Sequence, residues 1–410
     1  MMLPNGWKKV KLGDVVKMSS GGTPSKDNAS FWNGDIPWIS ALEMHKNFVE
    51  EAKLNITEDA LKKGSSLAKK NDLLLLTRGS MLWKRIPVCL CLRDVAFNQD
   101  VKCLHTDKKL NSTFLLYWFG CMEPKIMHMV VGTGIGAGKL ESRGILDLDI
   151  NLPPIEEQKK IAATLSVWDS AIEKMEKLIE AKFMQKKTLT CKLIENQNDV
   201  KFKLGNVTID KNKWERKRLG ELLEFKNGVN VEKDKIGHGT KMISVLDVLS
   251  DKPITYDNIR SSVALTTEEL SIYSVHYGDV LFQRSSENYE DVGTSNVYID
   301  EKCATFSGFV IRGKKIGAYN PLCLNAILRA PSARCQIMKK AAGAQHVNIG
   351  QESLANIQIF LPSLPEQKAI ANVLSAVEDE LSLLKEQFEN YKKQKQGLMQ
   401  KLLTGQWRVK

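Results

Sequence analysis

The stretch most suggestive of catalysis is Gly132-Thr-Gly-Ile-Gly-Ala-Gly-Lys139, a glycine-rich run ending in a cation. A Walker-type phosphate loop needs glycine five positions before Gly138 and Ser or Thr after the lysine, and Thr133 and Leu140 stand there instead. The dinucleotide fingerprint fails as well. Asn151-Leu152-Pro153-Pro154-Ile155 approximates the Asn-Pro-Pro-aromatic pocket of amino-methyltransferases, but Leu152 interrupts it. A nuclease centre wants two acids and a lysine around a strand, and Glu123-Pro124-Lys125 offers only one acid and one lysine. The six histidines are not at metal-ligand spacing from one another. Of eight cysteines, Cys89 and Cys91 form a lone C-x-C and the rest are scattered, so neither a zinc cage nor a disulfide framework is readable. What remains open to such a chain is recognition.

The wider composition says what could be recognised. With 410 residues the chain has room for two or three cores plus connecting helices. Its 59 Lys and Arg against 48 Asp and Glu give a net charge of +11, which favours a polyanionic partner. By segment the charge is +5 for residues 1–151, and +2 each for 152–203, 204–360 and 361–410, so no basic tail holds the excess. A nucleic-acid partner would have to meet folded surfaces. No apolar run approaches the ~20 residues of a membrane span, and the first residues lack the pattern of a signal peptide, so no membrane association and a cytoplasmic location are expected.

The elements that must position any such surface emerge from an internal repeat. Residues 152–166, LPPIEEQKKIAATLS, match residues 361–375, LPSLPEQKAIANVLS, at nine of fifteen positions and a constant offset of 209. Proline at each start and Glu157 or Glu366 in the first turn suit a helix beginning. Apolar residues then alternate at spacings of four and three: Ile161, Leu165, Trp168, Ile172, Met175 and Ile179 in one copy, and Ile370, Leu374, Val377, Leu381, Leu384, Phe388 and Tyr391 in the other. This heptad seam predicts a coiled coil. Both copies break it with lysine at one matching place, Lys186 and Lys395, where the simplest expectation is a stem along the seam with its head in solvent. At ~1.5 Å per residue each ~40-residue helix would be roughly 60 Å long.

The repeat extends beyond the helices. Trp7 and Trp214 begin similar segments, Leu12-Gly13-Asp14 matches Leu219-Gly220-Glu221, and Asp72-Leu73-Leu74 matches Asp279-Val280-Leu281 at an offset of 207. The chain therefore divides as domain one over 1–151, a spacer helix over 152–203, domain two over 204–360 and a second spacer helix over 361–410. Short β-rich runs such as Leu73 to Thr77, Val280 to Gln283 and Phe309 to Arg312, with a helical stretch from Phe114 to Gly120, place the domains in the α+β class. The second helix can bury its seam only against the first, so the pair should be an antiparallel two-helix coiled coil between two duplicated domains, with pseudo-two-fold symmetry. Dimeric DNA readers use such symmetry to set two recognition surfaces on separate half-sites.

Two copies of L-P-x-x-x-E-Q-x-x-I-A-x-x-L, 209 residues apart, with Trp7 and Trp214 starts and divergent domains between, resemble over the whole chain the specificity subunit of type I restriction-modification enzymes. The resemblance implies a subunit without catalysis, metal or cofactor of its own, whose two target-recognition domains each read one half of a split double-stranded DNA sequence. It implies that the helices space the domains and dock two methyltransferase subunits, to which two motor-nuclease subunits can add. S-adenosylmethionine would belong to the methyltransferase partner, and the methylated base would be adenine at its exocyclic nitrogen. By the same resemblance Leu152, Pro153, Glu157, Gln158 and Ile161, with Leu361, Pro362, Glu366, Gln367 and Ile370, belong to the spacer and its docking surface. A two-domain coiled-coil scaffold for protein partners is the competing reading. Divergent domains on closely similar spacers favour the DNA reader.

Sequence reading calls for Arg or Lys against guanine, Asn or Gln against adenine, and further cations on phosphates. In domain one the candidates are Arg78, Lys84 and Arg85, following the Leu73 strand, and Lys139. In domain two they are Arg284, Ser285, Ser286, Asn288 and Tyr289, then His346 and Asn348. The stretches 132–139 and 341–348 are expected to be one flexible loop occurring in both domains. Trp83 and Tyr289 could be surface residues or core.

Overall fold

The computed structural model of the chain describes residues 3–134, 136–195, 200–343 and 346–409. It divides into one compact unit formed by 1–176 with 387–410 and a second formed by 177–386. Both long helices pass from one unit into the other, so each unit is a globular domain carrying a segment of both helices.

In the first unit the central five-stranded sheet has the order Val16–Ser20, Val101–Thr106, Leu73–Leu76, Val88–Cys91, Phe48–Val49. Leu73 to Leu76 are all fully buried, which is why this strand reads as an unbroken apolar run rather than an alternating one. The helix Ser112–Met127 packs Phe114, Leu115, Leu116 and Phe119 into the same core, and its start is capped by the Asn111 side chain, which accepts from the Phe114 amide at 2.9 Å. A four-stranded sheet built around Trp32–Ile39 lies beside it in sequence, and Lys8–Lys11 pairs antiparallel with Asp149–Leu152 just ahead of the first long helix.

The second unit repeats these parts. Leu223–Asn227, Val310–Lys315, Val280–Gln283 and Ser295–Val297 form its central sheet, the helix Pro321–Arg329 is capped by Asn320 as Ser112–Met127 is by Asn111, and Glu215–Arg218 pairs with Gln358–Leu361. The matching turns Leu12–Asp14 and Leu219–Glu221 close alike, with Asp14 accepting from the Lys11 amide and Glu221 from the Arg218 amide. The structure is thus a mixed helix and strand fold made twice.

The first long helix runs Ile155–Thr190 and passes into a π-type turn, Cys191–Glu195; the second runs Leu364–Leu403. Every described seam position named above is buried or half-buried. Within the first unit Ile161 and Leu165 share a core with Leu402 and Leu403, and the rings of Trp168 and Tyr391 meet edge to face with centroids 5.9 Å apart. Lys395 bonds Asp169 and lies over the Tyr117 ring. Within the second unit Lys186 pairs with Glu378, and Lys182 with Glu380 at 2.8 Å. The expectation that Lys186 and Lys395 extend their heads into solvent is corrected by these pairs. Their side chains are only 30% and 16% exposed, and each ammonium is drawn to an acid on the other helix. A partly dehydrated charge is costly unless paired, so the lysines bias which turns of the helices meet.

Candidate nucleic-acid interface

In the first domain the Leu73 strand continues, past Thr77, into a short strand Arg78–Gly79. The glycine-rich run proves to be a β-hairpin, Val131–Thr133 against Ala137–Lys139, which pairs with Arg78–Gly79 so that Lys139 lies directly opposite Arg78. This corrects the flexible loop expected there. One of its glycines serves packing: a Cβ on Gly138 would come within 2.7 Å of Val130 and 3.0 Å of Leu82. At the tip Gly136 has a φ of +75°, the left-handed region that favours glycine. The Trp83 indole donates to the Gly136 carbonyl at 3.0 Å while its ring stays 49% exposed. Ile135 lies outside the described residues.

The second domain builds the same platform from other residues. Ser285–Ser286 follows the Val280 strand and pairs with Val347–Asn348, so that Ser285 lies opposite Asn348. At the offsets of 207 and 209 these are the places of Arg78 and Lys139. The surrounding hydrogen bonds correspond too. Thr77 and Arg284 each donate a backbone N–H, to Asp100 and Phe309, and each accepts one, from Leu140 and Ile349. The Tyr289 hydroxyl donates to the Gly343 carbonyl at 3.4 Å, as Trp83 does to Gly136, and its ring is 51% exposed. Gly343 has a φ of +139°, and a Cβ there would meet the His346 carbonyl oxygen at 1.9 Å. Ala344 and Gln345 of this stretch lie outside the described residues.

The candidates are not equally placed. Arg78 and Lys84 are exposed, with no protein partner for their charged ends among the described residues, and Lys139 forms an exposed pair with Glu141 at 2.7 Å. Arg85 is instead tied to the carbonyls of Met44 and His45, which makes it a brace for that loop. Arg284 reaches the Gly308 carbonyl at 3.4 Å. Ser286 is buried and its hydroxyl accepts from the Asn288 amide, so it shapes the turn from within. Asn288 points its amide at Asp291, 3.4 Å away. Ser285, Asn348 and His346 share the outer edge: Ser285 Oγ bonds Asn348 Oδ1, and Asn348 Nδ2 donates to the His346 carbonyl at 3.0 Å. Phe309, 66% exposed beside Arg284, belongs to the same neighbourhood and was missed, since it stood inside a run read as strand.

The residues expected to form a docking surface are corrected most clearly. Pro153, Glu157, Gln158, Ile161, Leu361, Pro362, Glu366, Gln367 and Ile370 are buried, and Leu152 is half-buried in the ladder with Lys8. They join each long helix to its own domain. Glu157 accepts from the Trp7 indole at 3.2 Å and from the Arg408 guanidinium; Glu366 accepts from the Trp214 indole at 3.4 Å and from the Asp210 amide at 2.8 Å. Gln158 Oε1 accepts from the Asn111 amide and Gln367 Oε1 from the Asn320 amide, the capping residues of the two domain helices. The bond from Arg408 holds the Glu157 carboxyl below the usual range against the opposing effect of burial. At Glu366 burial acts to raise the carboxyl, but bonds from Ser363, Asp210 and Trp214 prevail and hold it down.

One cluster among the described residues has the composition of a metal site: Asp72, Cys103 and His105, with ligand atoms within 4.8 Å of one another. Both ring nitrogens of His105 are engaged, Nδ1 with Asp72 at 2.8 Å and Nε2 with Ser19 at 3.1 Å, and burial pushes the Cys103 thiol well up. In the second domain Arg312 stands opposite Leu281 where Cys103 stands opposite Leu74, giving Asp279 a cationic neighbour. A carboxylate beside a basic side chain, His105 by Asp72 and Arg312 by Asp279, is common to both copies, whereas a metal-ligand set is not. No helix among the described residues is long and apolar enough to cross a membrane.

A fold made twice, with one platform carrying unlike polar residues, defines a two-domain recognition protein. Comparison with known proteins specifies which. The type I restriction modification DNA specificity domain matches residues 4–182 and again 211–390, and the chain belongs to that family. The MjaVIII specificity subunit of Methanocaldococcus jannaschii is 26% identical over 424 residues, covering 100% of this chain and 95% of that one. The fold resembles a chain solved in work on complex assembly and conformational transition of the type I R-M system, with a TM-score of 0.62 over 99% of this chain and 100% of the other at 16% identity. It also resembles the S subunit from M. genitalium, with a TM-score of 0.57 over 98% of each chain at 16% identity.

Proposed function

We propose that this chain is the DNA sequence-specificity subunit of a type I restriction-modification enzyme, in which each domain reads one half of a split target through the platform just described. The observation that carries this reading is the pairing of sameness and difference. The joints between domain and helix repeat the same Trp, Glu and Gln, while matching positions on the platforms hold Arg78 and Lys139 in one domain and Ser285 and Asn348 in the other. A protein that bound one partner twice would repeat the platform; a reader of two different half-sites would not.

The paired helices serve as the spacer. Contacts within the first unit run from Glu157 with Arg408, just past the end of the second helix, to Asp169 with Lys395 on it, so residue numbers rise on one side as they fall on the other, which supports an antiparallel two-helix coiled coil. Fixed spacing restricts binding to half-sites a set distance apart. The chain itself supplies recognition, and methyl transfer with its S-adenosylmethionine belongs to two partner subunits, joined for restriction by motor-nuclease subunits. Those partners would meet the outer faces of the helices, where Val167, Phe183 and Met184 are exposed apolar residues off the seam. The test is methylome sequencing of cells that express the chain with its methyltransferase. A bipartite, asymmetric methylated motif is expected, and a contiguous motif or no methylation dependent on this chain would refute the reading.

A further inference from the structure

The two platforms differ in kind as well as in detail, and the difference bears on which bases they take. Residues 78–85 hold three cations and no acid, whereas residues 284–291 hold one cation and three acids. Arg78 and Lys139, cross-strand partners in the first domain, are both cationic donors, Arg78 with its guanidinium unpaired among the described residues and Lys139 sharing its ammonium with the exposed Glu141 at 2.7 Å. Their counterparts Ser285 and Asn348 are neutral and present donors and acceptors together. Asn348 is also preset. Ser285 occupies one lone pair of its amide oxygen and the His346 carbonyl takes one of its two N–H groups, which leaves one acceptor and one donor on a fixed amide.

We infer that the first domain reads a guanine with Arg78, assisted by Lys139, and that the second reads an adenine with Asn348 held by Ser285. Guanine offers two acceptors, N7 and O6, to the major groove, which a paired set of donors matches. Adenine offers an acceptor and a donor, N7 and N6, which one carboxamide matches. The charge contrast has a second consequence: the counterions released on binding come mostly from phosphates of the first half-site, so salt sensitivity should follow the first domain. The inference rests on the proposed function and goes beyond it by assigning base chemistry to each domain.

The experiment uses the full chain assembled with its methyltransferase and synthetic duplexes carrying the motif found by methylome sequencing, with single base-pair changes in each half. Arg78→Ala should lose ~5–150-fold discrimination at one G·C pair of one half-site and leave the other half-site unaffected. Arg78→Lys should keep the affinity for mismatched duplex, because the charge stays, yet lose the discrimination, because the two-pronged donor is gone. Asn348→Ala should relax an A·T pair in the opposite half-site with little change in salt slope. If the wild-type motif is split but Arg78→Ala weakens all duplexes equally, or Asn348→Ala leaves the motif unchanged, the base assignment is overturned while the proposed function stands. If the wild type shows no split motif, both fall.

Discussion

A single glycine shows how closely these platforms are fitted. The Gly138 Cα faces Val130 and Leu82 with no room for a methyl group, so Gly138→Ala must push the hairpin away from the turn at Ser80–Trp83. Overpacking of this kind costs ~1–3 kcal/mol, and denaturant unfolding of the complex should register it together with weaker binding to one half-site. Arg85→Ala should lower stability without touching recognition. Its guanidinium braces the carbonyls of Met44 and His45, so stability should fall by ~1–3 kcal/mol while the recognised sequence stays the same. An altered methylation motif in that variant would return Arg85 to the reading surface. Residue chemistry alone had grouped Arg85 with Arg78, because an arginine after a strand looks the same whether it points outward or back. Only the fold distinguishes them.

Between elements, the joints of the long helices are where sequence and structure part company. The helices themselves were legible, because a seam spaced by threes and fours is a local pattern, and so was the Leu73 strand, whose uninterrupted apolar run signals burial on both faces. The joint was not, because Trp7 meets Glu157 across 150 residues and neither residue type announces its partner. A signal did exist: Trp and Glu-Gln recur together in both copies at nearly the same offset, which is the mark of a contact kept through duplication. Gln158→Ala should leave the Asn111 amide and the Lys109 carbonyl unmatched and cost ~1–3 kcal/mol, and Gln367→Ala should do the same in the second domain. The joints also set an acid limit. Because Glu157 and Glu366 are held below their usual range in the folded state, the stability they add is present in full above the ordinary carboxylate range and is lost as pH falls through their depressed values. Thermal melts from pH 6 downward should show a decline that Glu157→Gln makes shallower. In the seam, Lys186→Glu should destabilise by repelling Glu378, and adding Glu378→Lys should recover most of the loss, a coupling that a double-mutant cycle measures.

For the whole molecule the duplication is the governing fact. One ancestral unit of domain and helix, made twice in a single chain, yields two platforms with common backbone hydrogen bonds and separate side chains. Between the two copies the platform residues that differ are those at the exposed edge, while the Trp, Glu and Gln that recur lie at the joints. This is why overall architecture could be read from repeats, whereas the composition of each platform required knowing that Arg78 meets Lys139 and Ser285 meets Asn348. It also makes the domains separable in function. The most direct test replaces residues 204–360 with the corresponding domain of a relative that methylates a different motif, and sequences the methylome of cells expressing the hybrid with its methyltransferase. One half of the motif should change, with the other half and the gap between them kept. A hybrid in which both halves change together, or in which neither does, would contradict the account.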